Sequence, residues 1–140
     1  TAFPDMAPLL IVDDSDDDLF FARRAYAMTG QAPPLVCLHS GECMLDYQHK
    51  VREGEYAQPF AILLDINMPM LDGFAAFSAL ARMSGGQVPV PVWFLTGSDD
   101  PSDVRVAASL GARGLITKPD SVRELARILN DVLLAVGGGT

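Results

Sequence analysis

Five short apolar runs, rich in β-branched residues, recur along this chain and restrict its fold more than any other feature. The runs occupy residues 9–12, 35–38, 60–64, 92–95 and 114–117. Their short length and nearly continuous apolar character are typical of strands that are buried on both faces. We therefore predict five strands at these positions.

Longer segments with a helical spacing of apolar residues separate and follow the five runs. The residues that define four of them are Phe21, Ala25 and Met28; Phe74, Phe77, Leu80 and Ala81; Val104, Ala107 and Ala108; and Leu125, Ile128, Leu129, Val132 and Val136. A less regular segment, about 41–53, supplies the second of five helices. Strict alternation of strands and helices requires a parallel sheet with helices on both faces, which is a doubly wound α/β fold.

Turn and cap residues support these boundaries. They are Gly30 and the Pro33–Pro34 pair after the first helix, Pro101 at the start of the fourth, and Ser121 with Glu124 at the start of the fifth. A chain of 140 residues is the usual size of one domain. We predict an N-terminal extension at residues 1–8, the folded domain at 9–136 and a glycine-rich tail at 137–140.

The charge balance argues against one class of partner. Ten basic and eighteen acidic residues give a net charge of -8, which disfavours nucleic acid binding by phosphate neutralisation. The chain has no secretion signal and no apolar run long enough to span a bilayer, so we expect a cytoplasmic protein without a membrane partner. Cys37 and Cys43 are then interpreted as reduced core residues.

Polar residues cluster where the predicted strands end, which is where doubly wound sheets bind ligands. They are Asp13 and Asp14 after the first strand, Asp65 and Asn67 after the third, Thr96 and Ser98 after the fourth, and Lys118 after the fifth. Dense carboxylates repel a free phosphate and disfavour a nucleotide cofactor. Hard oxygen donors favour Mg²⁺ over zinc, with Lys118 as the counter-charge.

The aspartates have two different interpretations. Those at 16–18 lie in the first turn of the predicted first helix, where acidic side chains favour the positive end of the helix dipole. Asp65 closes the most apolar strand, where an unpaired carboxylate is costly unless it coordinates a metal or reacts. Asp13 and Asp14 repel each other and are not explained by the dipole as easily. We therefore assign a function to Asp65, Asp13 and Asp14.

Four segments, in this order and at this spacing, resemble those of the receiver domain of two-component response regulators. They are residues 10–14 (LIVDD), 63–73 (LLDINMPMLDG), 95–96 (LT) and 117–119 (TKP). The resemblance covers about residues 9–134 and implies the flavodoxin-like strand order 2-1-3-4-5. The acidic start of the first helix and the DINMP segment are similar to single-domain regulators that pair with phytochrome-type sensor kinases.

The resemblance implies that Asp65 accepts a phosphoryl group from a phosphohistidine of a sensor histidine kinase or a phosphotransfer protein. Asp13, Asp14, the Asp65 side chain and the backbone carbonyl of Asn67 would hold Mg²⁺. The ion and the Lys118 ammonium would offset the repulsion between a carboxylate and a phosphoryl group. Beyond its own phosphorylation and slow autodephosphorylation, such a domain catalyses nothing.

The resemblance also implies a switch. Thr96 would donate its hydroxyl to a phosphoryl oxygen, which draws its loop inward and alters the surface of the fourth and fifth helices and the fifth strand. Leu115 takes the place of the family's usual aromatic residue, and Gly97 takes that of a common alanine, which would loosen the loop and widen access to Asp65. Ser98, like Asn67, occupies a position that tunes hydrolysis of the acyl phosphate. We expect a cis bond between Lys118 and Pro119.

Other functions remain open. A Mg²⁺-dependent phosphohydrolase also forms an aspartyl phosphate, but it expects a second aspartate two positions after the nucleophile, where this chain has Asn67. A degenerate receiver would bind partners only, which the complete set of acidic residues, threonine and lysine disfavours. The preferred prediction is a regulator without an output domain, which docks to a downstream protein or passes the phosphoryl group on. The oligomeric state is left open, with a phosphorylation-dependent homodimer, paired through the helices beside the edge strand, as one alternative.

Overall fold

Five parallel strands form one sheet within residues 7–98 and 100–137, the part of the chain that the computed structural model describes. They are β1 (Leu9–Val12), β2 (Leu35–Leu38), β3 (Ala61–Asp65), β4 (Val92–Thr96) and β5 (Gly114–Thr117). Their order is β2-β1-β3-β4-β5. The doubly wound fold and the predicted strand order are therefore confirmed.

Five helices alternate with the strands in the same described residues. They are α1 (Asp16–Thr29), α2 (Gly41–Arg52), α3 (Gly73–Met83), α4 (Pro101–Leu110) and α5 (Val122–Gly137). Gly30 ends α1 with a φ of 67°, a left-handed conformation that glycine adopts without steric cost. The Ser121 hydroxyl accepts a hydrogen bond from the Glu124 amide at 2.9 Å, as the predicted capping pattern requires.

The helices divide between the two faces of the sheet because successive side chains of a strand point to opposite faces. One core joins β1, β3 and β4 to α1 and α5 through residues that include Ile11, Leu63, Leu95, Leu19 and Leu129. The other core joins the alternate strand residues to α2, α3 and α4 through residues that include Val12, Leu64, Phe94, Met44 and Phe77. Both faces of β1 and β3 are consequently buried.

The strands β3 and β4 run one residue further than their apolar patterns predict. Asp65 and Thr96 are the last strand residues, and β3 begins at Ala61 instead of Phe60. The backbone hydrogen bonds of the sheet continue past the apolar residues, since the Ile66 amide donates to the Leu95 carbonyl at 3.0 Å. The sheet itself therefore positions these two polar side chains.

One core prediction is wrong. Cys43 is exposed, because the third position of α2 faces solvent, whereas Cys37 is half-buried in β2; both thiols are free. Gly137 is the last residue of α5, while residues 138–140 of the predicted tail and 1–6 of the predicted extension lie outside the described residues. Among the helices of residues 7–98 and 100–137, none has the length and apolar composition that a bilayer span requires.

Candidate functional site

Three carboxylates meet at the carboxyl ends of β1 and β3. Asp13 follows β1 and Asp65 ends β3, and these neighbouring strands place both side chains below the surface, with exposed fractions of 2% and 3%. Asp14 is exposed beside them. One carboxylate oxygen from each of the three residues lies within 4.8 Å of the other two. The predicted acidic site is thus present as one cluster.

The Lys118 side chain reaches into this cluster from the end of β5. Its Nζ lies 2.8 Å from Asp13 Oδ2, 2.8 Å from Asp18 Oδ2 and 3.2 Å from Asp65 Oδ1. The Lys118 amide donates to the Thr96 carbonyl at 2.7 Å, which fixes its backbone to β4. An ammonium group has three donors, so the three carboxylates match its full donor capacity.

Burial dominates the electrostatics of the two buried acids. Desolvation, followed by repulsion from Asp13, raises the pKa of Asp65 from 3.8 to about 6, although Lys118 acts in the opposite direction. Desolvation also raises the pKa of Asp13 above its ordinary value, against the hydrogen bonds from Lys118 and the Ser15 amide. Both carboxylates therefore require a nearby cation to be ionised at little cost.

In Lys118, unlike in the two acids, the neighbouring charges outweigh the effect of burial on the pKa. Burial alone lowers the pKa of the Lys118 ammonium, but its hydrogen bonds to Asp13 and Asp18 outweigh this effect and the net pKa is raised. The ammonium thus stays charged at neutral pH. A permanently charged donor next to a buried carboxylate can neutralise charge that arrives on that carboxylate.

Thr96 lies at the same edge of the sheet and is completely buried. Its Oγ1 accepts a hydrogen bond from the Ser98 amide at 3.0 Å, which leaves the hydroxyl hydrogen for a different acceptor. Gly97 and Ser98 are both exposed, and a Cβ at Gly97 would meet no atom within 4 Å. The loop after β4 therefore has open space in front of it.

Gly73 packs directly against the backbone of Asp65, a contact that the sequence analysis did not predict. A Cβ on Gly73 would lie 2.3 Å from the Asp65 carbonyl oxygen, so only glycine permits this approach. The Gly73 amide also donates to the Ile66 carbonyl at 2.8 Å. The first turn of α3 is consequently in direct contact with the backbone that presents Asp65.

Two predicted residues have surroundings distinct from those of the cluster. Asn67 is exposed in the loop after β3, and its backbone carbonyl stays a predicted ligand. Leu115 is half-buried in β5, opposite Phe94 in register, and packs into the core between the sheet and α2, α3 and α4. The position of the usual aromatic residue is therefore filled by part of the apolar core.

The predicted cis bond between Lys118 and Pro119 is not found. None of the described residues has a cis peptide bond, so this prediction is wrong for the structure. The trans isomer is intrinsically favoured even before proline. With the trans bond, Lys118 already contacts Asp13, Asp18 and Asp65.

Asp18 is the second residue that sequence reasoning missed. The helix dipole also accounts for an acid in the first turn of α1, and Lys118 is 100 residues away along the chain. The available signal was its position one helical turn after Asp14 and five residues after Asp13. Since α1 begins directly behind the end of β1, that spacing brings Asp18 back to the same edge.

The donors of the cluster fit a magnesium ion. Asp13, Asp14 and Asp65 offer three hard carboxylate oxygens close together, and Mg²⁺ prefers such donors with water completing its shell. Zinc favours nitrogen and sulfur ligands. The donor set therefore agrees with the predicted metal.

The profile of the response regulator receiver domain family matches residues 9–130. Because the match covers most of the chain, this protein belongs to that family, which serves two-component signalling. Receiver domains accept a phosphoryl group, bind Mg²⁺ at an acidic pocket, and interact with histidine kinases and phosphotransfer proteins.

Three similar proteins illustrate the range of the family. The probable methanogenesis regulatory protein FilR2 of Methanothrix harundinacea is 28% identical over 89% of this chain and 79% of its own. The transcriptional regulatory protein PrrA of Mycobacterium leprae is 31% identical over 84% of this chain, which spans only 46% of PrrA. The bacteriophytochrome response regulator AtBRR superposes with a TM-score of 0.74 at 26% identity, covering 95% of each chain.

Proposed function

We propose that this protein is a response regulator whose Asp65 accepts a phosphoryl group from a phosphohistidine on a sensor histidine kinase or phosphotransfer protein. One observation carries the proposal: the buried Asp65 carboxylate has the Lys118 ammonium 3.2 Å away and two further acids beside it. This arrangement supplies a nucleophile and the charges that its reaction needs.

In the proposed reaction a carboxylate oxygen of Asp65 attacks phosphorus. The bond between phosphorus and the imidazole nitrogen breaks, and its electron pair leaves with the imidazole, which takes up a proton. With a pKa of about 6, Asp65 is ionised and nucleophilic at neutral pH. Water later attacks the phosphorus of the acyl phosphate, which releases inorganic phosphate and restores the carboxylate.

Asp13, Asp14, Asp65 and the backbone carbonyl of Asn67 would hold Mg²⁺, which when bound would supply positive charge to offset the negative charges of the carboxylates and the phosphoryl group. The chain's own cation is Lys118, which donates to Asp65 before transfer and to a phosphoryl oxygen afterwards. Neutralising both anions lets them approach at contact distance.

Thr96 is proposed to report the transfer. Its hydroxyl hydrogen is available for a phosphoryl oxygen, because the hydroxyl oxygen already accepts from the Ser98 amide. Movement of Thr96 would pull Gly97 and Ser98 with it and change the surface formed by α4, β5 and α5. Leu115, an aliphatic core residue, would shift with this loop where the family usually has an aromatic ring that changes its rotamer.

Residues 9–136 are proposed as the complete receiver unit, which catalyses only its own phosphorylation and slow dephosphorylation. The changed surface would bind a downstream protein or pair two copies of the domain. Alternatively, Asp65 would pass its phosphoryl group to the next histidine of a relay. The similarity to AtBRR supports a phytochrome-type sensor kinase as the phosphoryl donor. Neither a membrane nor nucleic acid is a proposed partner of this domain.

The first test is phosphorylation by acetyl phosphate with Mg²⁺. Wild-type protein should acquire one acid-labile phosphoryl group and bind beryllofluoride only when Mg²⁺ is present, whereas Asp65→Asn should do neither. Asp17→Asn, a change to an exposed acid of α1, is the matched control and should behave as wild type. An Asp65→Asn protein that is phosphorylated at the normal rate would show that the nucleophile is another residue.

The same samples distinguish the phosphohydrolase. Steady release of phosphate from phosphate esters over many cycles would support that class. The exposed Asn67 has no carboxylate for the acid and base steps of such turnover, so we expect acyl phosphate formation without sustained ester hydrolysis.

A further inference from the structure

The Lys118 ammonium is held by a residue outside the receiver motifs. Its two shortest contacts, both 2.8 Å, are to Asp13 and Asp18, and the contact to Asp65 is longer at 3.2 Å. The two shorter contacts come from either side of the start of α1. They act as anchors for the ammonium, while the third donor remains for the residue that reacts.

We propose that Asp18 is a positioning residue that, with Asp13, holds the Lys118 ammonium toward Asp65. This proposal rests on the proposed function, in which Lys118 neutralises charge on Asp65. Before transfer the third ammonium donor serves Asp65 Oδ1, and after transfer it serves a phosphoryl oxygen on the same side chain. The contacts to Asp13 and Asp18 are kept before and after transfer, so the ammonium is already oriented toward the phosphoryl oxygen when the group arrives.

Asp18 differs from Asp13 in a way that makes it the dedicated anchor. Asp13 belongs to the cluster with Asp14 and Asp65, and its Oδ1 also accepts from the Ser15 amide at 3.0 Å. Its carboxylate is therefore divided among several partners. Asp18 lies outside that cluster, and its carboxylate hydrogen bonds to Lys118.

The local fold places the Asp18 side chain. Ser15 caps α1, and its hydroxyl accepts a hydrogen bond from the Asp18 amide at 3.2 Å. Asp17 is in the same helical turn and is exposed, and its side chain makes no ion pair or hydrogen bond within residues 7–98 and 100–137. A change at Asp17 thus removes an equivalent charge from the helix start without touching Lys118.

The contact is tested first in Mg²⁺-free protein, independently of any phosphorylation. Asp18→Asn should speed the solvent exchange of the Lys118 ammonium protons, followed by NMR at the Nζ nitrogen, by roughly threefold or more, since a charge-assisted hydrogen bond is lost. Asp17→Asn should leave the exchange unchanged. Equal exchange rates in the two variants would overturn the proposal.

The consequence for the reaction is tested with acetyl phosphate and Mg²⁺. Asp18→Asn should lower the phosphorylation rate of Asp65 roughly threefold to tenfold, a modest loss because Asp18 is partly exposed and water screens its charge. Asp18→Glu should recover part of the rate. In a Lys118→Ala background, Asp18→Asn should have no further effect, because its influence passes through the missing ammonium.

The outcomes separate this proposal from the function on which it rests. An equal rate loss from Asp18→Asn with and without Lys118 would mean that Asp18 acts elsewhere, even if Asp65 is phosphorylated normally. A wild-type protein that is not phosphorylated at Asp65 would reject the proposed function and, with it, the catalytic consequence of the anchor. The NMR experiment would still report whether Asp18 holds Lys118.

Discussion

The acids at 13–18 divide into two environments only a few residues apart. The Asp13 side chain, beside Lys118 and Asp65 at the end of β1, is 3% exposed, whereas the Asp16 side chain in the first turn of α1 is 86% exposed. Both are aspartates in one acidic run. Asp13 depends on a neighbouring cation, while Asp16 is solvated by water.

This difference shows that acidity alone does not make the site. Burial of two carboxylates at adjacent strand ends raises the pKa of both and makes an ammonium or a metal ion necessary. The same charge at the start of a helix is stabilised by the dipole and by water. The acids that give the net charge of -8 are therefore of two kinds, some buried in the reactive centre and others on the solvated surface.

The most disruptive way to break the buried environment is Gly73→Ala. The new methyl group would collide with the Asp65 carbonyl, so we expect a loss of about 3 kcal/mol in the free energy of unfolding. Urea denaturation measures it. The control Gly97→Ala places its methyl in open space and should change stability by less than about 0.5 kcal/mol. Similar losses for both variants would contradict the close packing of α3 on β3.

Removing the charge of Asp65 should stabilise the protein when Mg²⁺ is absent. The rise of its pKa from 3.8 to about 6 corresponds to a cost on the order of 3 kcal/mol for the ionised form. We expect Asp65→Asn to gain about 2 to 3 kcal/mol at pH 8, measured by urea denaturation. Asp17→Asn, on the exposed side of the comparison, should change stability by no more than about 1 kcal/mol, and an equal gain there would refute the role of burial.

The effect of Asp65→Asn on stability should depend on pH, because burial shifts the pKa of this carboxyl group. Between pH 3.8 and about 6 the folded protein holds a proton on Asp65 that the unfolded chain has lost, so stability contributed by this group falls as pH rises through that window. The advantage of Asp65→Asn over wild type should therefore be near zero below pH 3.8 and complete above about pH 6.5. A pH-independent difference would indicate that packing, and not charge, is responsible.

The smallest effect is expected on the exposed side. Asp16 Oδ1 lies 2.9 Å from His39 Nε2, and both side chains are more than half exposed. Even when both partners are charged, exposed pairs contribute about 0.5 kcal/mol or less. A double-mutant cycle with Asp16→Asn and His39→Gln should give a coupling energy in that range. A coupling above about 1 kcal/mol would place Asp16 with the buried acids instead.

The fold was predictable because its signals are local and repeated. The five apolar runs correspond to the five strands, and caps such as Ser121 and Gly30 lie where their patterns indicate. The ends of β3 at Asp65 and of β4 at Thr96 are harder to predict, because backbone hydrogen bonds continue after the apolar pattern stops.

The site was only partly predictable. Asp13, Asp14, Asp65 and Lys118 were identified because parallel strands bring their carboxyl ends to one edge. The contribution of Asp18 was not predicted, since the helix dipole accounts equally well for an acid in the first turn. The choice between a dipole role and a contact with Lys118 depends on how close α1 lies to the end of β5, which only the structure shows.

The amino-acid pattern is sufficient to predict the parallel sheet, its five helices and the polar residues at its carboxyl edge, because periodicity and strand-end position are properties of the chain alone. The packing of the chain shows which acids are buried, that Lys118 contacts three of them, and that Gly73 must lack a side chain. Burial and contact depend on how helices dock against the sheet. Residues 100 apart, such as Asp18 and Lys118, meet only through that docking.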